Sequence, residues 1–155
     1  MKEEKMYFPL FISLEGKKAV VIGGGEIAAR RTETLLCFCE NITVIAPEVC
    51  EKMEKLINEK NLLYYRRDFQ TGDCKEAFVI VAAANNRQVN KQAGEEGKAA
   101  GAFVSVADRK EECNFLFPGV AINQESGAVI GVCSSGKNHK LAKELTDKCK
   151  EILKS

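Results

Sequence analysis

The chain has 155 residues, enough for one domain with a sizeable core. Lys and Arg number 23 against 22 Asp and Glu, and the formal net charge of +1 argues against a dedicated nucleic-acid binder, which carries a strong basic excess. With 45% hydrophobic residues, no apolar run near the roughly 18 residues of a membrane span, and no signal-peptide core in "MKEEKMYFPLF", the sequence predicts a cytoplasmic globular protein.

The first predicted element is a buried strand, "KAVVI" at residues 18–22. A helix follows at 26–39, with Ile27, Leu35, Leu36 and Cys39 as a partial apolar stripe. "NITVIAP" at 41–47 reads as a second strand stopped by Pro47. Residues 48–60 form an amphipathic helix pattern, with Val49, Met53, Leu56 and Ile57 on one face. "LLYYRR" at 62–67 is a weaker third strand and "FQTGD" at 69–73 a loop. "AFVIVAAA" at 77–84 is nearly all apolar, as a strand covered on both faces should be. Residues 86–100 read as helix with Gly101 as its C-cap, and "AFVSVAD" at 102–108 is the next strand.

This alternation with short connections predicts a Rossmann-like, doubly wound α/β fold with a parallel sheet. From residue 113 the rhythm changes. "CNFLFPGVAI" and "GAVIGVCSSG" read as extended segments joined by the turn-like "NQESG", as a hairpin either added to the sheet or projecting from it. A lysine-rich helix at about 138–153 ends the chain. The expectation is a single domain over 1–155, with 113–155 as a substrate-side hairpin and terminal helix.

The stretch "KKAVVIGGGEIAARRTETLL" passes from a strand through three glycines into a helix. Gly23, Gly25 and Ala28 fit G-x-G-x-x-[G/A]. The first glycine permits a tight turn, and the second lets a diphosphate approach bare backbone. The third position needs a small residue so that helix and strand pack closely. The helix N-terminus then offers free N–H groups and partial positive charge. The candidate phosphate-binding turn is therefore Gly23, Gly24, Gly25, Glu26, Ile27 and Ala28; Glu26 puts a negative charge near the phosphates, which a backbone-led site tolerates if that side chain points into solvent. A glycine-rich turn without a ligand is the plainer alternative.

A dinucleotide site commonly has an acid at the end of the second strand, on the ribose hydroxyls. Here that strand ends in "VIAPE", so either backbone around Pro47 and Glu48 or the Glu48 side chain would hold the ribose. No arginine lies nearby in sequence, which favours NAD over NADP. "AAANNRQVN" at 82–90 follows the fourth strand at the carboxyl edge, making Ala84 and Asn85 cofactor candidates. Asn85 and Asn86 would bond the nicotinamide ribose or cap the next helix.

The seven cysteines include no C-x-x-C pair, and one histidine gives little support for zinc. Mostly buried free thiols in a reducing compartment are expected, with no metal site.

The ordered set "FPLFISLEGKKAVVIGGGEIAARR", "ITVIAP", "FVIVAAANNRQVN", "VSVADRKEECNFLFPGV" and "GVCSSGK…LAKEL" resembles the precorrin-2 dehydrogenases over roughly residues 6–152. These form the N-terminal part of siroheme synthase and the stand-alone dehydrogenase–ferrochelatases. The resemblance implies NAD-dependent oxidation of the tetrapyrrole precorrin-2 to sirohydrochlorin. It implies a chemical role for Asp108, and leaves Fe2+ insertion in the same pocket open. It also implies a tetrapyrrole pocket lined by Asn114, Phe115, Phe117, Ser134, Ser135, Gly136 and Lys137, with Arg109, Lys137 and Lys140 as candidates for the substrate carboxylates. "SSGKNHKLA" departs from the family's "SSGGKSPxLA", which alters the expected substrate loop. The family commonly continues for some dozens of residues beyond this point, so a homodimer would be built differently here. A nucleotide-sensing Rossmann module without catalysis is the competing reading; "VIAP" and the 113–136 segment speak against it.

Overall fold

The computed structural model describes residues 5–154. It divides into two compact units: Ser13–Phe115, and the N-terminal residues up to Ile12 together with the segment from Leu116 onward.

The larger unit is a five-stranded parallel sheet in the order β3-β2-β1-β4-β5. Its elements are β1 (Lys18–Ile22), α1 (Glu26–Leu35), β2 (Asn41–Ile45), α2 (Glu51–Lys60), β3 (Leu63–Tyr65), β4 (Val79–Ala82), α3 (Arg87–Ala99) and β5 (Phe103–Val106). The strand order reverses between β1 and β4. Their carboxyl ends therefore feed loops that diverge, which opens a crevice at that edge. Runs such as "AVVI" and "VIVA" are buried along their full length, as central parallel strands require.

Successive side chains alternate between the sheet's two faces. On one face Val20, Ile22, Ile80, Ala82, Val104 and Val106 cluster with Ala93 of α3. α3 comes close because it carries glycine where it meets the sheet. A Cβ at Gly97 would run into the side chains of Ile80 and Val104. From the other direction, Arg31 of α1 donates to Ser105 Oγ at 2.7 Å. Burial pulls the Arg31 guanidinium below its ordinary value, so this hydrogen bond offsets part of its desolvation.

The fold class is as the sequence predicts, but several boundaries are not. α1 stops at Leu35, not residue 39, because the chain tightens there: Cys37 N–H reaches Thr34 O and Phe38 N–H reaches Leu35 O. Its buried face is Ala28, Ala29, Thr32 and Leu35, whereas Ile27 is 46% exposed. α2 begins at Glu51, not residue 48. The intervening residues form a loop anchored by Cys50 N–H to Gly24 O at 2.7 Å. β3 shrinks to three residues.

In the smaller unit, β6 (Gly119–Asn123) and β7 (Ala128–Val132) pair antiparallel as a separate two-stranded sheet. The hairpin is thus not an extension of the main sheet. α4 (His139–Leu153) packs on it so closely that a Cβ at Gly119 would strike Thr146. Asn123 ties the two together, its Nδ2 donating to Leu153 O at 2.7 Å.

All seven cysteines are free. Only Cys39 and Cys74 are buried, fewer than expected, while Cys37 and Cys133 are exposed. Burial pushes the Cys74 thiol up to about 12, which leaves it inert. No helix among the described residues is long and apolar enough to cross a membrane.

Candidate functional site

A groove of about 450 Å³ lies at the carboxyl edge of the parallel sheet. Its floor is the Gly23–Gly25 turn after β1, flanked by Ala46–Cys50 after β2 and Ala83–Asn86 after β4. This is the crevice that the reversal of strand order creates.

Each glycine of the turn has its own reason. Gly23 sits at φ +123°, a region that L side chains rarely adopt, and a Cβ there would meet the main chain of Ala83 and Ala84. A Cβ at Gly24 would collide with Glu48 O. The turn is pinned from both sides: Gly23 N–H donates to Ile45 O at 2.9 Å, and Ala83 N–H to Ile22 O at 2.7 Å. Gly25 differs. It is exposed, and a Cβ there would point into open space. It is also the N-cap of α1, with no side chain capping the helix. The N–H groups of the first turn, which no helix satisfies internally, are therefore not claimed by a side-chain cap. Bare backbone, a helix N-terminus and space where a methyl would stand fit a diphosphate. Ala28 is 1% exposed, which is the small-residue packing position of the motif. Glu26 and Ile27 are exposed at the start of α1 and do not line the groove.

Pro47 and Glu48 line the groove on the β2 side. Asp68 and Phe69, which follow β3, line it as well. Sequence reading missed them, because only the β2–β3 pairing brings the second crossover beside the first. Arg66 also arrives there: its Nε donates to Pro47 O at 3.4 Å, although the two residues are far apart in sequence. On the β4 side, Ala84 and Asn85 both line the groove. Asn86 is the N-cap of α3, its Oδ1 accepting from Gln88 N–H at 2.9 Å and Val89 N–H at 3.3 Å. Asn90, 1% exposed, was also missed. Its amide accepts from Ala84 N–H and donates to Ala84 O, fixing the loop that forms this wall.

Asp108 follows β5, two residues past the strand end, and is exposed. It does not line the groove. Its Oδ1 accepts from Arg87 Nη1 at 2.6 Å, and Arg87 immediately follows the groove residue Asn86. Arg87 Nη2 also donates to Glu112, which sits on a single 3₁₀ turn at Lys110–Glu112.

Asn114 is committed to the sheet edge. Its Oδ1 accepts from Val104 N–H at 2.6 Å and its Nδ2 donates to Ala102 O at 2.8 Å. Phe115 stacks edge-on against Phe103 at 6.0 Å, and Phe103 does the same with Phe78 at 5.5 Å. In the smaller unit, Phe117 is half-buried. Ser134, Ser135, Gly136 and Lys137 form a tight turn, with Ser135 and Gly136 at positive φ. Ser134 Oγ accepts from Asn138 N–H, and Asn138 in turn caps α4 by accepting from Leu141 N–H. Arg109 and Lys140 are exposed. No group of three or more metal-capable side chains comes together among the described residues.

The chain is similar to several known proteins. A sequence family described as "Putative NAD(P)-binding" matches residues 10–119. A "Probable multifunctional siroheme biosynthesis protein HemA" from Ruminiclostridium josui is 40% identical over 146 residues, covering 94% of this chain and 28% of that protein. A siroheme synthase from Ruthia magnifica subsp. Calyptogena magnifica is 33% identical over 147 residues, covering 95% of this chain and 31% of that protein. The chain therefore spans less than a third of the length of these relatives. Among solved structures, "SirC, precorrin-2 dehydrogenase" matches with a TM-score of 0.79 at 24% identity, covering 94% of this chain and 70% of that one. At that identity the likeness is one of fold.

Proposed function

The chain belongs to the NAD(P)-binding family that matches residues 10–119, and from that premise we propose that it is the NAD-dependent dehydrogenase that oxidises precorrin-2 to sirohydrochlorin. The observation that carries the reading is the Gly23–Gly25 turn, where bare backbone and an uncapped helix face an open groove. The siroheme-pathway relatives supply the substrate class.

Two hydrogens leave the macrocycle in this reaction, one as hydride and one as a proton. Bound NAD supplies the hydride acceptor, which no side chain can be. The chain's own residues bind, orient and handle the proton. The Gly23–Ala28 turn holds the diphosphate, with Glu26 and Ile27 at its solvent side. Pro47, Glu48 and Asp68 take the adenosine ribose, and Ala84 with Asn85 takes the nicotinamide side. Asp108 accepts or steers the proton from a position at the same sheet edge. Phe115 and Asn114 in the larger unit, and Phe117, Ser134, Ser135, Gly136 and Lys137 in the smaller one, are the substrate candidates. Asn114 is the weakest of these, because β5 already uses its amide.

Nothing in the site favours ferrous-iron insertion over oxidation alone. A nucleotide-sensing module shares the turn but needs no group such as Asp108. Purified protein given precorrin-2 and NAD is expected to form NADH and the sirohydrochlorin absorption spectrum together. Tight NAD binding with no turnover would leave the sensing module as the better reading.

A further inference from the structure

We propose that Arg87 is a positioning residue that holds the Asp108 carboxylate in its working orientation, with Glu112 fixing the guanidinium from the other side. The proposal rests on the reading of Asp108 given above and adds a residue to it.

The three side chains come from three different elements. Arg87 opens α3, Asp108 follows β5, and Glu112 ends the 3₁₀ turn. The guanidinium divides its fork. Nη1 goes to Asp108 Oδ1 at 2.6 Å and Nη2 to Glu112 Oε2. A planar guanidinium held by two carboxylates has little freedom to rotate, so the one Asp108 oxygen bonded to its arm is held in place.

Exposure differs modestly across the cluster. Arg87 and Glu112 are 33% and 27% exposed, whereas Asp108 is 41% exposed. Glu112 is the most covered of the three side chains and Asp108 the most open. Asp108 Oδ1 takes the Arg87 bond, which leaves Oδ2 as the oxygen for a proton or substrate.

The chain also links this cluster to the groove. Arg87 directly follows Asn86, which lines the groove and caps α3. Asn90, one turn further along α3, clamps Ala84 of the same wall. The start of α3 thus supports the nicotinamide side of the groove and the Asp108 anchor as one rigid piece.

The test uses the full chain as wild type, Arg87→Ala, Arg87→Lys, Asp108→Ala and the Arg87→Ala/Asp108→Ala double variant. Steady-state turnover is measured beside NAD affinity by fluorescence titration. If wild type forms no NADH from precorrin-2, the functional reading itself fails and the Arg87 proposal falls with it. If wild type is active, Arg87→Ala is expected to lose about tenfold to a hundredfold in kcat, as misplacement of a reacting group does. KM and NAD affinity should stay within about twofold. Arg87→Lys should fall between, since one ammonium cannot serve two carboxylates through a planar fork. The double variant should be no slower than Asp108→Ala alone. A crystal structure of Arg87→Ala, or of Arg87→Lys if the alanine variant does not fold, should show Asp108 spread over several rotamers. Unchanged kcat in the folded variants, losses that multiply in the double variant, or an Asp108 side chain still fixed without Arg87 would each overturn the proposal.

Discussion

Asn90 embraces Ala84 through both of its main-chain groups, accepting from its N–H at 2.8 Å and donating to its carbonyl at 2.9 Å. A helix residue buried to 1% exposure therefore stands in for the next rung of β4 and shapes the wall beside the glycine turn. Replacing it with Ala leaves two main-chain groups without that partner. The expected cost is about 1–3 kcal/mol of stability. NAD affinity should fall as well, because Ala84 and Asn85 lose their support. Urea unfolding and NAD titration of Asn90→Ala check both, and a variant with native stability would mean that solvent replaces the amide without penalty.

The glycine turn separates binding from folding. Gly25→Ala should fold at nearly native stability, since its methyl meets nothing and its φ of −81° suits alanine. The N-cap change adds at most a modest penalty. Its NAD affinity should nevertheless drop tenfold or more, because the methyl occupies the diphosphate's place. Gly23→Ala should fail at an earlier stage: its Cβ meets the Ala83 main chain and its φ is unfavourable. Thermal melts paired with NAD titration distinguish the two. Native NAD affinity in Gly25→Ala would remove the diphosphate from this turn.

Cofactor preference follows from charge. Glu48 and Asp68 both line the end of the groove proposed for the ribose, where both would repel a 2′-phosphate. Arg66 lies nearby, its Nε donating to the Pro47 carbonyl, and its charge offsets part of that repulsion. The expectation is that NAD binds at least about tenfold more tightly than NADP, a gap of about 1.4 kcal/mol. Asp68→Asn combined with Glu48→Gln should narrow that gap while leaving the melting temperature nearly unchanged. Equal binding of both cofactors by wild type would contradict this assignment.

The loop between β3 and β4 is tied by Arg67 and Asp73, bonded in parallel at 2.8 and 2.9 Å. The Arg67 hydrogen bonds hold the Asp73 carboxyl below its ordinary range, aided by Gln70 N–H and opposed by burial. A carboxyl lowered on folding stabilises the native state above its unfolded value, near about pH 3.9. The contribution disappears as pH falls through the lower folded value. Asp73→Asn should therefore melt below wild type at pH 6 to 7, with the difference closing below about pH 4. A difference that widens in acid would reverse the sign of this linkage.

The parts of the site that could be read in the sequence are local. Gly23, Gly25 and Ala28 lie within six residues, and their roles follow from the turn they make between β1 and α1. The parallel sheet also follows from the alternation of strands and helices with short connections, whereas the order in which its strands lie does not. The elements that could not be read depend on contacts between distant segments. Asp68 reaches the groove, and Arg66 the Pro47 carbonyl, only because β3 pairs with β2, and Arg87 meets Asp108 across 21 positions. Asn90 looked like any polar helix residue, since periodicity marks which face is apolar and gives no sign of a buried amide. Ile27 misled in the opposite sense. An isoleucine at a helix start counts as core by pattern, yet α1 turns Ala28 and Ala29 inward and leaves Ile27 46% exposed.

The contact between Gly24 and Glu48 restricts how such a protein can diversify. With no room for even a methyl between them, and with Cys50 N–H closing on Gly24 O, the first and second crossovers are fastened at one point. Lengthening either loop would force the other out of place. Lineages that alter nucleotide choice must therefore do so by exchanging side chains at fixed backbone positions, and homologues should show substitutions here but no insertions.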